Sequence, residues 1–270
     1  MAATRESSDS YQAADGSELP MLVFEPAEGT APVAGIVMFH GGGLRGGSPD
    51  ELAPHCRELA ARGIFTVSAG YRLVGQAAAS IDDCVADVRR AVDHCTGLAA
   101  ARGLDASRVA SGGSSAGAHL ALVAAMIAPG EPAPAAAPGV AAVVALNPVV
   151  DLLAYSPEYL RLLEQSVGIA PGRAADYSPA EFVRPGNPPV LIQHGTHDEV
   201  APVGQVRRFR DLMVEAGNDC VLLEYEGAEH AFHYPSPAGH FDDVVDATAD
   251  FLLDRIAVPD IDTSRLPPAW

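Results

Sequence analysis

The chain has no lysine: all 17 of its basic residues are arginine. That absence excludes a phosphate-loop lysine, a Schiff-base lysine and a Ser–Lys dyad. Positive charge is scarce altogether, with 35 Asp and Glu and a formal net charge of −18. Nucleic acid and anionic membrane surfaces are therefore not expected partners. A salt-adapted surface would carry this composition. Codon usage in a GC-rich genome, which also favours Ala, Gly, Pro and Arg, is the simpler account. Cysteine is sparse as well: Cys56, Cys84, Cys95 and Cys220 are scattered with no C-x-x-C spacing. They read as buried small hydrophobes, with neither a disulfide framework nor a zinc site. Cys84 and Cys95 fall on one expected helix about 16 Å apart, too far to bridge. No apolar run approaches the roughly 20 residues that span a bilayer. The polar opening Met1–Ser8 lacks the apolar core of a secretory signal. These absences lead to the expectation of a cytoplasmic protein with no membrane contact and no cofactor.

What is present is a chain of 270 residues, 48% of them apolar, enough for one large core in a single domain, 1–270. Short apolar runs alternate with amphipathic stretches. Strands are expected at Met21–Phe24, Val33–Phe39, Ile64–Ala69, 108–113, Val140–Leu146, Val190–His194 and Val221–Tyr225. Helices are expected at Pro49–Arg62, Ile81–Ala101, 116–126, Val203–Glu215 and Phe241–Ile256. Such alternation predicts an α/β fold with a mostly parallel sheet covered on both faces. Ligands on such sheets bind beyond the carboxyl ends of the strands. Pro129–Gly139 reads as an Ala/Pro loop. Residues 150–186 break the alternation, with one helix at Glu158–Gln165, and read as a small cap insertion or a crossover with a loop attached. Residues 258–270 read as an exposed tail.

Chemistry enters at Gly113-Ser114-Ser115-Ala116-Gly117. A G-x-S-x-G between a strand and a helix is the layout of a nucleophile elbow, whose turn is so tight that small residues must flank the serine. A serine hydroxyl needs a base in hydrogen-bond reach, a carboxylate to orient that base, and donors for the developing oxyanion. Candidates for all of these follow predicted strands. They include His40-Gly41-Gly42-Gly43, Tyr71-Arg72-Leu73, His194-Gly195-Thr196-His197-Asp198 and His230-Ala231-Phe232.

In this order and spacing, these motifs resemble the hormone-sensitive-lipase-like branch of the α/β-hydrolases, especially its compact acetyl- and feruloyl-esterase-like members. The resemblance spans about residues 20 to 257 and implies an α/β-hydrolase sheet of about eight strands with a minimal cap. Carried over by position, Ser115 would be the nucleophile, Asp198 the orienting acid and His230 the base. Oxyanion donors would be the N–H groups of Ala116 and of Gly42 with Gly41 or Gly43. One departure is Val74-Gly75-Gln76 after Tyr71-Arg72-Leu73, where the lipase-like members have A-P-E. Few residues precede the first expected strand, so a large N-terminal helical cap is not expected and the site should be open.

Each of these positions has a competitor nearby. Ser114 has Ala116 rather than a glycine two residues on, which favours Ser115. Glu199 and Asp151 compete with Asp198, and His233 with His230; either histidine would suit a solvated loop. The His194/His197 and His230/His233 pairs have metal-like H-x-x-H spacing, but on loops no helix fixes their faces, so no metal is expected. His119 reads as packed in the elbow helix, His40 as a brace for its loop, and Arg72 with Asp87 as a structural ion pair. The expected function is cleavage of short-chain carboxylic esters. An arylformamidase, a carbohydrate deacetylase or a feruloyl esterase would carry the same motifs, and a non-catalytic receptor on this scaffold would normally have lost one of the three residues. The expected partner is a small-molecule ester, and oligomeric state is open, a homodimer included.

Overall fold

A computed structural model describes residues 4–127, 139–237 and 239–257. Its strands are β1 (Arg5–Gln12), β2 (Glu18–Glu25), β3 (Ala34–Phe39), β4 (Ile64–Ala69), β5 (Val109–Ser114), β6 (Val143–Leu146), β7 (Val190–Gly195) and β8 (Cys220–Tyr225). They form one eight-stranded sheet in the order β1-β2-β4-β3-β5-β6-β7-β8. β2 runs antiparallel to β1 and to β4, and every other pairing is parallel. Each residue of β3 to β7 is buried. Their near-continuous apolar runs follow from helices covering both faces of a parallel sheet.

On one face lie α2 (Ile81–Ala100), α3 (Ala116–Met126) and α5 (Val203–Glu215), and on the other α1 (Ala53–Ala61) and α6 (Phe241–Ile256). α3 is apolar all round and almost wholly buried, as a helix in the middle of a domain should be. The start of α2 is set by Ser80, whose side chain accepts the Asp82 N–H, with Asp82 and Asp83 complementing the helix dipole in its first turn. α4 (Pro157–Val167) lies in the crossover from β6 to β7, among short 3-10 turns at Leu152–Ala154, Pro171–Tyr177 and Pro179–Phe182. It starts on the Ser156 cap and Pro157, and stops at Gly168 in the left-handed region.

Helices α5 and α6 coincide with the sequence expectation, and α2 stops one residue short of it. Three differences stand out. β1 has no counterpart in the prediction because RESSDSYQ carries no apolar alternation; it is an edge strand whose one well-buried side chain is Tyr11, donating to the Gly70 carbonyl at 2.8 Å. β6 begins at Val143, not Val140, although the preceding residues are apolar. Pro49 opens a separate 3-10 turn, Pro49–Leu52, ahead of α1. The expected 258–270 tail and most of the Ala/Pro loop lie outside the described residues.

The four cysteines are buried and unpaired. Burial pushes the thiols of Cys56, Cys84 and Cys220 up to about 12, and raises Cys95 as well. The expected Arg72–Asp87 pair is present and bidentate, with Nε–Oδ2 at 2.8 Å and Nη2–Oδ1 at 2.9 Å, and ties the chain after β4 to α2. Among the described residues no helix is long and apolar enough to cross a membrane.

Candidate active site

Ser115 occupies the single residue between β5 and α3, with φ 50° and ψ −114°. A non-glycine residue there is strained by about 1–3 kcal/mol, which the surroundings must hold in place. Backbone bonds do so: the Ser115 N–H donates to the Leu146 carbonyl and its own carbonyl accepts from His119, both at 2.9 Å. Its two flanking glycines are required by close approach. A Cβ on Gly113 would lie 2.3 Å from the Phe39 carbonyl oxygen, and one on Gly117 would lie 2.0 Å from that same oxygen. The elbow thus forms because the end of β3 runs directly against it.

Two loops at the same end of the sheet bring the partners. Asp198 follows β7, and His230 lies between β8 and α6. The Ser115 hydroxyl lies 2.9 Å from His230 Nε2, and His230 Nδ1–H donates to Asp198 Oδ2 at 2.7 Å. The other Asp198 oxygen accepts the N–H groups of Val200 and Ala201, both at 2.9 Å. Burial opposes the Asp198 charge, but the bonds from His230 and Ala201 outweigh it and hold the carboxyl below its usual range. The Asp198 side chain is fully buried while that of His230 stays 21% exposed. An anchored carboxylate thus fixes one ring nitrogen, leaving the other at the serine and within reach of solvent.

Gly41 sits against the elbow, where an added Cβ would touch the Ser115 Cβ at 3.5 Å. Among the described residues, the N–H groups of Gly41, Gly42, Gly43 and Ala116 have no hydrogen-bond acceptor. At Ala116 this follows from its place as the first residue of a helix. The carbonyls on the opposite side of the loop are all occupied. His40 O and Gly41 O share the one Tyr71 hydroxyl proton, Gly41 O also accepts His40 Nδ1–H, and Gly42 O accepts the N–H groups of Arg45 and Gly46.

The competing candidates have other partners. Asp151 accepts the Leu153 N–H and pairs with Arg208. His233 is fully buried rather than solvated: its Nε2 lies 2.8 Å from Ser114 Oγ and its Nδ1 3.2 Å from His55 Nε2. His55 also donates to the His233 carbonyl at 3.0 Å. His194 donates to the Ala201 carbonyl, and His119 to the Val149 carbonyl. His40 braces its loop as expected, through Gly41. Among the described residues no group of three or more His, Cys, Asp or Glu side chains is disposed to hold a metal ion.

Asn147 is not among the site residues expected from the sequence, although Asn147-Pro148 is in keeping with the strand that follows the elbow in the family it resembles. It is fully buried at the end of β6, in the left-handed region with φ 40°, and its Nδ2 lies 3.2 Å from His230 Nε2. Its Oδ1 has no partner among the described residues. The one available signal was an asparagine after a predicted strand, since asparagine tolerates that backbone conformation better than most residues.

A family model described as BD-FAE matches residues 21–213. The probable carboxylic ester hydrolase LipM of Mycobacterium tuberculosis is 31% identical over 225 residues, covering 76% of this chain and 50% of that protein. The chain therefore spans about half the length of the curated relative it matches. Among solved structures it is similar to Est2, a thermophilic esterase from the planctomycete Thermogutta terrifontis. The native form has a TM-score of 0.82 at 29% identity, covering 95% of either chain. The propionate-bound form has a TM-score of 0.81 at 29% identity, covering 94% of this chain and 96% of that one. The form phosphonylated by sarin has a TM-score of 0.82 at 29% identity, covering 94% and 97%.

Proposed function

Since the chain belongs to the BD-FAE family and has the α/β-hydrolase fold, we propose that it is a carboxylic ester hydrolase that works through an acyl-enzyme on Ser115. The observation that carries this reading is the unbroken run of hydrogen bonds from Ser115 through His230 to Asp198, at 2.9 and 2.7 Å. Ser115 attacks the ester carbonyl as His230 Nε2 takes its proton. Asp198 keeps the neutral imidazole in the right tautomer and stabilises the imidazolium that forms, which then protonates the leaving alcohol. Water repeats the sequence on the acyl-enzyme. The tetrahedral oxyanion is received by the N–H groups of Ala116 and of the Gly41–Gly43 loop, a single such donor being worth about 3–4 kcal/mol.

Short acyl chains are the proposed substrates. The support is similarity to an esterase solved with propionate and with butyrate bound. Free, buried thiols are consistent with a reducing, cytoplasmic setting.

Ser115→Ala tests the proposal. Removing the nucleophile of such a triad costs on the order of 10⁶ in kcat, so turnover of p-nitrophenyl acetate and labelling by a fluorophosphonate should both disappear. Turnover surviving within about tenfold of the parent would overturn the mechanism. A panel of acetyl, butyryl and longer p-nitrophenyl esters, with acetylated sugars, feruloyl esters and N-formylkynurenine, reads the substrate class.

A further inference from the structure

We propose that Tyr71 is a positioning residue for the loop at 41–43. Its hydroxyl anchors the carbonyls of His40 and Gly41, and so keeps the N–H groups on the far side of those peptides aimed at the substrate oxygen. The inference rests on the proposed function, in which that loop receives the oxyanion.

Peptide geometry carries the argument. In a trans peptide the carbonyl of one residue and the N–H of the next point in opposite directions across a rigid plane. The Tyr71 hydroxyl stands 3.1 Å from both His40 O and Gly41 O and shares its single proton between them. Fixing the first carbonyl fixes the Gly41 N–H, and fixing the second fixes the Gly42 N–H. These are two of the donors left without an acceptor among the described residues. Glycines rotate with little steric resistance, so without a tether either peptide could turn and present a carbonyl where a donor is needed.

Tyr71 is itself held firmly. It is 3% exposed, and its ring stacks on His40 at 4.4 Å with an interplanar angle of 14°. The next residue, Arg72, is bonded to Asp87 of α2 through its backbone N–H as well as its guanidinium. Burial keeps the phenol protonated and therefore a donor. The anchor thus runs from α2 through the chain after β4 to the loop beside Ser115.

The variant Tyr71→Phe retains the ring stack and deletes only the hydroxyl. With p-nitrophenyl acetate, kcat should fall about tenfold or more, with KM within about twofold, short of the loss from removing a donor outright. The matching thionoester replaces the carbonyl oxygen with sulfur, a weak hydrogen-bond acceptor. Its kcat/KM should fall by less than about threefold, so the oxo-to-thiono preference shrinks. A mere packing defect would slow both esters alike. An unchanged preference in a variant that is folded at the assay temperature overturns the proposal. If Tyr71→Phe does not fold at that temperature, the same two esters are compared at a lower temperature at which it does; an unchanged preference there likewise overturns the proposal. Failure of the underlying reading is distinct, because it would appear in the parent protein as ester turnover indifferent to Ser115→Ala.

Discussion

Gly117 illustrates how little room the residue scale leaves. A single methyl at this position would lie 2.0 Å from the Phe39 carbonyl oxygen and 2.4 Å from that of His40, both rigid backbone. Gly117→Ala is therefore expected to lower stability by about 3 kcal/mol or more and to displace the His40–Gly43 loop as well. Urea unfolding measures the first effect and esterase activity the second. A variant matching the parent in both would contradict the close packing of the elbow. The residues legible in the sequence were those with a stereochemical signature: glycines on either side of a serine, a glycine run after a histidine, an aspartate after a strand. Asn147 and the Tyr71 hydroxyl were not legible as parts of the site. Their place depends on which strand end abuts which loop, and that is a tertiary fact.

The loop from β8 to α6 shows how one element is held in register. His230 faces Ser115, while His233, three residues on, turns inward to Ser114 and to His55 of α1. Buried among His233, Tyr234 and Phe241, His55 is lowered by desolvation to about 4, and His233 is also held well below its usual range by burial and by neighbouring imidazoles. In the unfolded chain both would titrate near 6.5, so between about pH 6.5 and 4 the unfolded state binds protons that the folded state refuses. Stability should therefore fall with acidification through that window, by up to about 1.4 kcal/mol per pH unit for each such group. Urea titrations at pH 7, 6 and 5 measure the slope, and His233→Phe should reduce it. A flat profile in the parent would contradict the burial of these rings. Three residues apart, His230 and His233 divide the work: one stands at the serine and the other locks the loop beneath it.

At the scale of the whole molecule, the centre of the sheet was legible because β3 to β7 are buried on both faces and therefore read as uninterrupted apolar runs. β1 was not legible, because an edge strand facing solvent has no such run to show. The order of the strands lay beyond periodicity as well: β4 sits between β2 and β3, an arrangement set by crossover geometry and not by local pattern. The acidic surface and the absence of lysine had no bearing on the fold, in keeping with net charge governing solubility and encounter more than architecture.

The sealed thiols have a practical consequence. With every sulfhydryl inside the core and its ionisation pushed out of the neutral range, a thiol-reactive dye can engage only molecules that have opened. Its uptake then serves as a clock for unfolding in an unmodified chain. Rapid reaction of the native protein, before any loss of ellipticity, would mean that the core breathes far more than its packing implies.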